Sequence, residues 1–180
     1  MKKDIYCQFN EYRALYCIFL FLLTIALLVN LNFSMAYAKN IEAMRSRVNN
    51  FKTIYKFSKW LGIPVALPVC VQIRETGWLP KHRRASAISP AGAIGLMQIM
   101  PYHAKTYGYK SSDLFDPDIN IEVSCKLLKV WYLKYDKDLE KVFAAYNGGD
   151  GQARVIWWKR CQETRNYVIL AMRDYEKFTN

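Results

Sequence analysis

One carboxylic acid, Glu75, stands a short distance ahead of the dense run Ser89-Pro90-Ala91-Gly92-Ala93-Ile94-Gly95-Leu96-Met97-Gln98-Ile99-Met100-Pro101. A lone acid beside a shaped backbone loop suits glycan cleavage by one group that serves first as general acid and then as general base. Nothing else in the chain competes for the chemistry. Only His82 and His103 are available as imidazoles and no Cys-x-x-Cys pair exists, so no metal site is expected. No nucleotide motif is present, and no cofactor is expected. A glycosidase of the two-carboxylate type needs a partner acid roughly 5 to 9.5 Å away across the sugar. No Asp or Glu occurs between Glu75 and Asp113. Asp113, Asp116 or Asp150 could still fold back towards Glu75, so the spacing alone leaves a partner open.

A single acid of this kind has to hold its proton near neutral pH, and burial against apolar groups raises a Glu pKa. A helix expected to begin near Pro68, whose missing N–H is harmless in a first turn, places Leu67, Val71, Glu75 and Trp78 at helical spacing. The carboxylate then shares a face with apolar side chains. The competing reading pairs Glu75 with Arg74 or another base at the helix end, because structural ion pairs also perturb acids. Gly77 and Pro80 close this helix, and Lys81-His82-Arg83-Arg84 forms a basic loop.

The elements around it read as helices too. Ile41 to Leu61 reads as one amphipathic helix stopped by Gly62 and Pro64. The stretch from Ala91 to His103 looks helical after Gly92 but is interrupted at Gly95 and Pro101, which favours tight backbone approach over helix strength. Ser111, Ser112 and Asp113 cap a short turn into Asp116-Pro117. Ile121, Ser124, Cys125, Leu128, Trp131, Tyr132 and Tyr135 recur every three or four residues, the mark of a substantially buried helix. Leu139, Val142, Phe143 and Tyr146 repeat the pattern until Gly148-Gly149 stops it. A last helix from about Glu163 to Lys177 carries Tyr167, Val168, Ala171 and Tyr175 on one side. No stretch alternates and no repeat occurs, so the expected fold class is all-α, compact, with little or no β structure.

A chain of 180 residues fits one domain plus a short extension. Lys2, Lys3 and Arg13 precede an apolar run from Leu15 to Val29, and Ala36-Tyr37-Ala38 puts small residues at both cleavage-recognition positions. Residues 1–38 are read as an export signal cut after Ala38, leaving 39–180 as the single domain in the periplasm or cell envelope. The alternative is an uncleaved membrane anchor, since Leu15 to Leu31 approaches the roughly 17 residues that can just span a bilayer. Cys17, behind bulky Tyr16, is not read as a lipid-attachment cysteine.

The formal charge is +11, and loss of residues 1–38 removes three bases (Lys2, Lys3, Arg13) and two acids (Asp4, Glu11), leaving +10. A polyanionic partner follows from that excess. Export and the absence of a nucleic-acid motif argue against nucleic acid and make a basic nucleic-acid binder the weakest reading, which favours anionic lipid or a wall whose peptide stems carry carboxylates. Membrane contact is expected only through the N-terminal segment. Cys70, Cys125 and Cys161 remain in the mature part, either as one disulfide with one thiol left over or, for Cys70 and Cys125, as small apolar core residues.

Three separated segments, Glu75-Thr76, Gly95-Leu96-Met97-Gln98 and Ala144-Ala145-Tyr146-Asn147-Gly148-Gly149, resemble the catalytic domain of soluble lytic transglycosylases, a lysozyme-like fold akin to goose-type lysozyme. The resemblance runs from about Gly62 to Tyr175. It also takes in Asp113-Leu114-Phe115-Asp116-Pro117 with Asn120-Ile121, and Glu163-Thr164-Arg165-Asn166-Tyr167-Val168. It implies that Glu75 is the sole catalytic acid and base, cutting peptidoglycan strands and leaving a 1,6-anhydro ring on N-acetylmuramic acid. It further implies that Ser89, Gln98, Met100, Tyr146, Asn147 and Glu163 contact the glycan or the catalytic glutamate, and that Arg165 and Asp116 are architectural. Plain core packing is the alternative for Tyr146 and Met100, a backbone hydrogen bond for Gln98, and helix termination for Asn147.

The pattern departs from the family in three places. Family members usually carry Glu-Ser where this chain has Glu75-Thr76, and often Ala-Tyr-Asn-Ala-Gly where it has Gly148 before Gly149. The span from Glu75 to Ser89 is longer by about five residues around Lys81 to Ala85, a basic insertion that would grip anionic peptide stems or another protein, or is simply solvated. Small enzymes of this plan serve secretion, conjugation or pilus machinery by analogy. Two further readings stay open: a hydrolytic lysozyme of the same fold, and a non-catalytic wall-binding component of an envelope machine.

Overall fold

The apolar run and the residues after it form one helix, α1 (Lys2–Arg47). The computed structural model describes the backbone of residues 2–179 and the side chains of residues 18–157 and 159–179. The side chains of Lys2, Lys3, Arg13 and Cys17 lie outside the described residues. From Ile18 to Arg47 the helix is long and apolar enough to cross a membrane, and its side chains from Ile18 to Lys39 are exposed. The chain divides into two compact units, Met1–Ile41 and Glu42–Asn180, and the helices after α1 all belong to the second.

The single helix expected over Ile41 to Leu61 is in fact two. α1 ends at Arg47, Val48 and Asn49 bend, and Asn50 takes a left-handed conformation (φ 49°) that Asn tolerates better than most residues, before α2 (Phe51–Leu61) begins. A long-range contact fixes the bend: the Asn49 amide donates to Gln72 Oε1 at 2.5 Å. Gly62, at φ 63°, ends α2 as its position in the sequence predicts.

α3 (Ala66–Thr76) is the core of the fold, with Ala66 to Ile73 all buried. Such a helix has no solvent stripe to reveal its phase, and its position is set by α7, α5 and α2 packed around it. α5 (Pro117–Lys134) is N-capped by Asp116, whose carboxylate accepts from the Asp118 and Ile119 amides. α6 (Leu139–Arg154) and α7 (Gln162–Thr179) pack on each other. α6 leaves helical geometry at Gly149 (φ 77°, ψ 177°), where the Gly pair predicts a stop, and then resumes to Arg154. Arg74 on α3 pairs with Asp174 on α7 at 2.8 Å, joining the two helices.

No helix forms between Gly92 and Met100. Residues 92–100 make a tight loop closed by two isolated bridges, Ile88 with Ile94 and Ile94 with Ile99, before the short α4 (Pro101–Thr106). Among the described residues there is no strand beyond these bridges, and the all-α expectation stands. Cys70 and Cys125 are buried free thiols, Cys125 pushed up to about 12 by burial, and Cys161 is a free thiol at the surface.

Candidate active site

Glu75 lies in the last turn of α3, where the core helix reaches a cleft. The next residue locks that helix end to the loop opposite, for Thr76 Oγ1 donates to Leu96 O at 2.8 Å. Trp78 does not share the helical face as its spacing predicts. α3 has ended at Thr76, and Trp78 is 76% exposed, with its indole N–H donating to Glu75 O at 3.1 Å. Arg74 is engaged by Asp174, so the reading that neutralises Glu75 with Arg74 falls.

The loop carrying Gln98 is held from α5. Asn120, fully buried, donates through Nδ2 to Ile94 O (2.8 Å) and Leu114 O (2.9 Å) and accepts the Met97 amide on Oδ1 (2.8 Å). Gly95, at φ 79°, sits so close that a Cβ there would lie 2.4 Å from Asn120 Nδ2, so only glycine fits. Gln98 follows in a left-handed conformation (φ 48°), and its Nε2 donates to Gly95 O at 2.9 Å and Ala87 O at 3.3 Å. Its amide nitrogen is thus committed to the backbone. Ser89 accepts the Ala93 amide on Oγ at 3.0 Å, which shapes the turn before the loop.

The cleft has two lobes that share Gln98. One, of about 360 Å³, is lined by Glu75, Thr76, Trp78, Arg83 and Ser89. The other, of about 500 Å³, is lined by Met100, Tyr102, Trp131, Tyr146, Asn147 and Asp150. Glu75, Ser89, Gln98, Met100, Tyr146 and Asn147 therefore come together along one groove. Glu163 lines neither lobe; it is exposed in the first turn of α7, though its charge is felt at Glu75.

The Glu75 carboxyl is raised to about 7: burial is the largest cause, the hydrogen bond from Tyr167 opposes it, and the nearby Glu163 charge adds a smaller rise. Tyr167 OH donates to Glu75 Oε1 at 2.8 Å. Tyr146 OH donates to Met97 O at 2.6 Å, so its 2.9 Å contact with Ser124 Oγ is one it accepts. Burial first, and then the Glu75 charge, push both phenols well above their ordinary range. They stay neutral donors beside the acid. Tyr167 was not among the expected site residues. Its signal was its place in the Glu163 to Val168 segment, where the periodicity assigned it to the core face of α7.

The other acids are occupied. Asp113 accepts the Lys110 amide at 2.8 Å, Asp116 caps α5, and Asp150 is bound by Lys134, Tyr135 and Arg154. Hydrogen bonds from Lys134 and Tyr135 hold Asp150 below the usual carboxylate range. Among the described residues no group of three or more His, Cys, Asp or Glu could hold a metal ion.

The basic insertion is not one solvated run. Lys81, His82 and Arg83 are exposed in a 3-10 turn, whereas Arg84 is 7% exposed and donates to Leu79 O, Gly77 O, Arg47 O and Asn49 Oδ1. Arg84 thus ties the end of α3 to the bend before α2. Gly148 also gains a reason, for a Cβ there would lie 2.6 Å from Thr164 Oγ1, which donates to Asn147 Oδ1 at 2.8 Å.

The model of the transglycosylase SLT domain matches residues 57–168, the stretch that holds the whole cleft. The chain belongs to this family. Among curated proteins, SLT relatives include the soluble lytic murein transglycosylases of Escherichia coli, 35% identical over 100 residues (51% of this chain, 15% of the relative), and Salmonella typhimurium, 32% identical over 114 residues (59% and 17%). The chain thus spans less than a fifth of the length of these relatives. Solved structures with the same SLT fold include the 70 kDa soluble lytic transglycosylase of Escherichia coli (TM-score 0.62, 24% identity, 72% of this chain and 24% of that one). An inactive variant of the lytic transglycosylase Slt from Pseudomonas aeruginosa is similar (TM-score 0.61, 22% identity, 72% and 24%).

Proposed function

We propose that this SLT domain is a peptidoglycan lytic transglycosylase that cleaves the β-1,4 bond between N-acetylmuramic acid and N-acetylglucosamine, with Glu75 as its only acid and base. The observation that carries the reading is the Glu75 carboxyl itself, raised to about 7 and held on one oxygen by Tyr167. Tyr167 fixes Oε1, so the transferable proton belongs on Oε2. In the forward step that proton passes to the glycosidic oxygen as the bond to C1 of the muramic sugar breaks. With Asp113, Asp116 and Asp150 each held by other partners, the substrate's own N-acetyl group is the natural support for the electron-poor C1. The ionised Glu75 then takes the proton of the 6-hydroxyl while O6 bonds to C1. The acid is restored, a 1,6-anhydro ring is formed, and no water is consumed.

The remaining side chains take supporting parts. Gln98, with its nitrogen occupied by Gly95 and Ala87, offers its amide oxygen to a sugar hydroxyl or N-acetyl N–H where the two lobes meet. Met100, Tyr146 and Asn147 line the larger lobe for the strand, Ser89 the smaller, and Glu163 acts on Glu75 through its charge. Residues 1–38 serve as the export signal, which puts the domain in the periplasm or envelope. A secretion, conjugation or pilus machine is the setting that a small wall-opening enzyme of this kind fits.

The test is mass spectrometry of purified cell wall digested by the protein. Anhydromuramic ends that vanish with Glu75→Gln support the reading. Reducing ends without anhydro products would make it a hydrolase, and digestion unchanged by Glu75→Gln would remove Glu75 from the chemistry.

A further inference from the structure

α2 buries Ile54 and Ser58 against the core and turns its other side outward. At 100° per residue, Lys52, Lys56 and Lys59 fall along the middle of that outward side, with Tyr55 on one flank and Trp60 on the other. All five are exposed, Trp60 by 70%. Two of the ammonium groups sit near rings: Lys59 Nζ is 5.6 Å from the Tyr55 ring centre and Lys56 Nζ 5.3 Å from that of Phe57. Neighbouring elements add little negative charge. Asp118 is the acid beside the first turn, bonded to Thr53 and Asn50, while Lys129 reaches towards Gly62 at the other end.

An aromatic pair astride a row of cations is poorly explained by solubility, which needs charge but no exposed tryptophan. It matches the chemistry of a phospholipid headgroup layer, where indole and phenol rings settle at the polar boundary and ammonium groups meet phosphate. The chain supplies a second argument. The residues just before α2 are basic as well. Lys39, Arg45 and Arg47 are exposed along that stretch, against one exposed acid, Glu42. We infer that the outward face of α2, Lys52, Tyr55, Lys56, Lys59 and Trp60, docks on an anionic phospholipid surface. Lipid contact is then not confined to the N-terminal segment: the folded SLT domain carries its own membrane face, separate from the cleft.

The chain offers a convenient probe, since none of its tryptophans precedes Trp60 and their fluorescence therefore reports on the folded domain and not on α1. The full chain is mixed with vesicles of brominated phosphatidylglycerol or brominated phosphatidylcholine. With the anionic lipid, part of the tryptophan emission should be quenched, and that part should disappear in Trp60→Phe. The triple variant Lys52→Glu, Lys56→Glu, Lys59→Glu should need at least tenfold more anionic lipid for the same quenching, while digesting solubilised wall fragments at the wild-type rate. The corresponding Gln triple, with circular dichroism on both, guards against misfolding. Equal quenching in the two lipids, or quenching untouched by the charge variants, overturns the proposal, because α1 alone then explains it. So does binding to purified cell wall that the triple variant loses while lipid quenching is absent, which would assign the face to the wall.

Discussion

Glu75 and Asp150 are both carboxylates on the walls of one cleft, in lobes that share Gln98, and their surroundings push them in opposite directions. Glu75 sits at the end of a buried helix with one phenol hydrogen bond, and its pKa rises to about 7. Asp150 follows the kink at Gly149, in reach of water, with Lys134, Arg154 and Tyr135 gathered on it, and its pKa falls. Distance from solvent and number of donors decide the matter, not residue type. An acid that must give up and regain a proton near neutrality is found where partners are few, whereas an acid that organises its neighbours is found where they are many.

The sharpest way to break this contrast is Glu75→Gln, which should cut release of anhydro products by about 1000-fold while leaving binding to cell wall in place. The same variant tests the environment through stability. A folded-state pKa of about 7 against an ordinary 4.5 means that the folded chain binds the proton more tightly, so the stability tied to Glu75 is present at low pH and lost as pH rises from 4.5 through about 7. Glu75→Gln should therefore be more stable than wild type at pH 8, by about 3 kcal/mol, and indistinguishable from it at pH 4 in denaturant titrations. A smaller effect is expected from Tyr167→Phe. Losing the bond that favours the ionised form should move the pH–activity profile upward and lower the rate about tenfold, while Km is little altered. Glu163→Gln should displace the same profile downward, by less than the Tyr167 change moves it up, because a nearby negative charge is gone. Asp150→Asn, by contrast, should leave the profile where it is and change the rate by no more than about threefold, since exposed ion pairs contribute little. A shifted profile there would mean that the two lobes are electrically coupled after all.

Much of this plan could be read from local spacing. The Glu75 helix, the stop at Gly62 and the break at Gly149 depend on neighbours a few residues away, and the structure has each within two residues of its expected place. What could not be read depends on distant partners. The bend at Asn49 needs Gln72, and the loop that replaces a helix after Gly92 needs Asn120. Tyr167 illustrates the limit for the candidate site. Its spacing puts it among apolar residues of α7, and only packing against α3 turns a core phenol into the donor on Glu75. Arg84 is a similar case: nothing local separates it from exposed Arg83, yet it is spent on four acceptors around two helix ends.

Asn120 bears on time as well as on shape. Its side chain holds three backbone groups, and it is itself rooted in α5, so the wall bearing Gln98 can part only when α5 loosens. That opening belongs to the slow, whole-domain class of fluctuation and not to the flicker of a surface loop. The wall around Gln98 therefore keeps its place while the exposed side chains about it move.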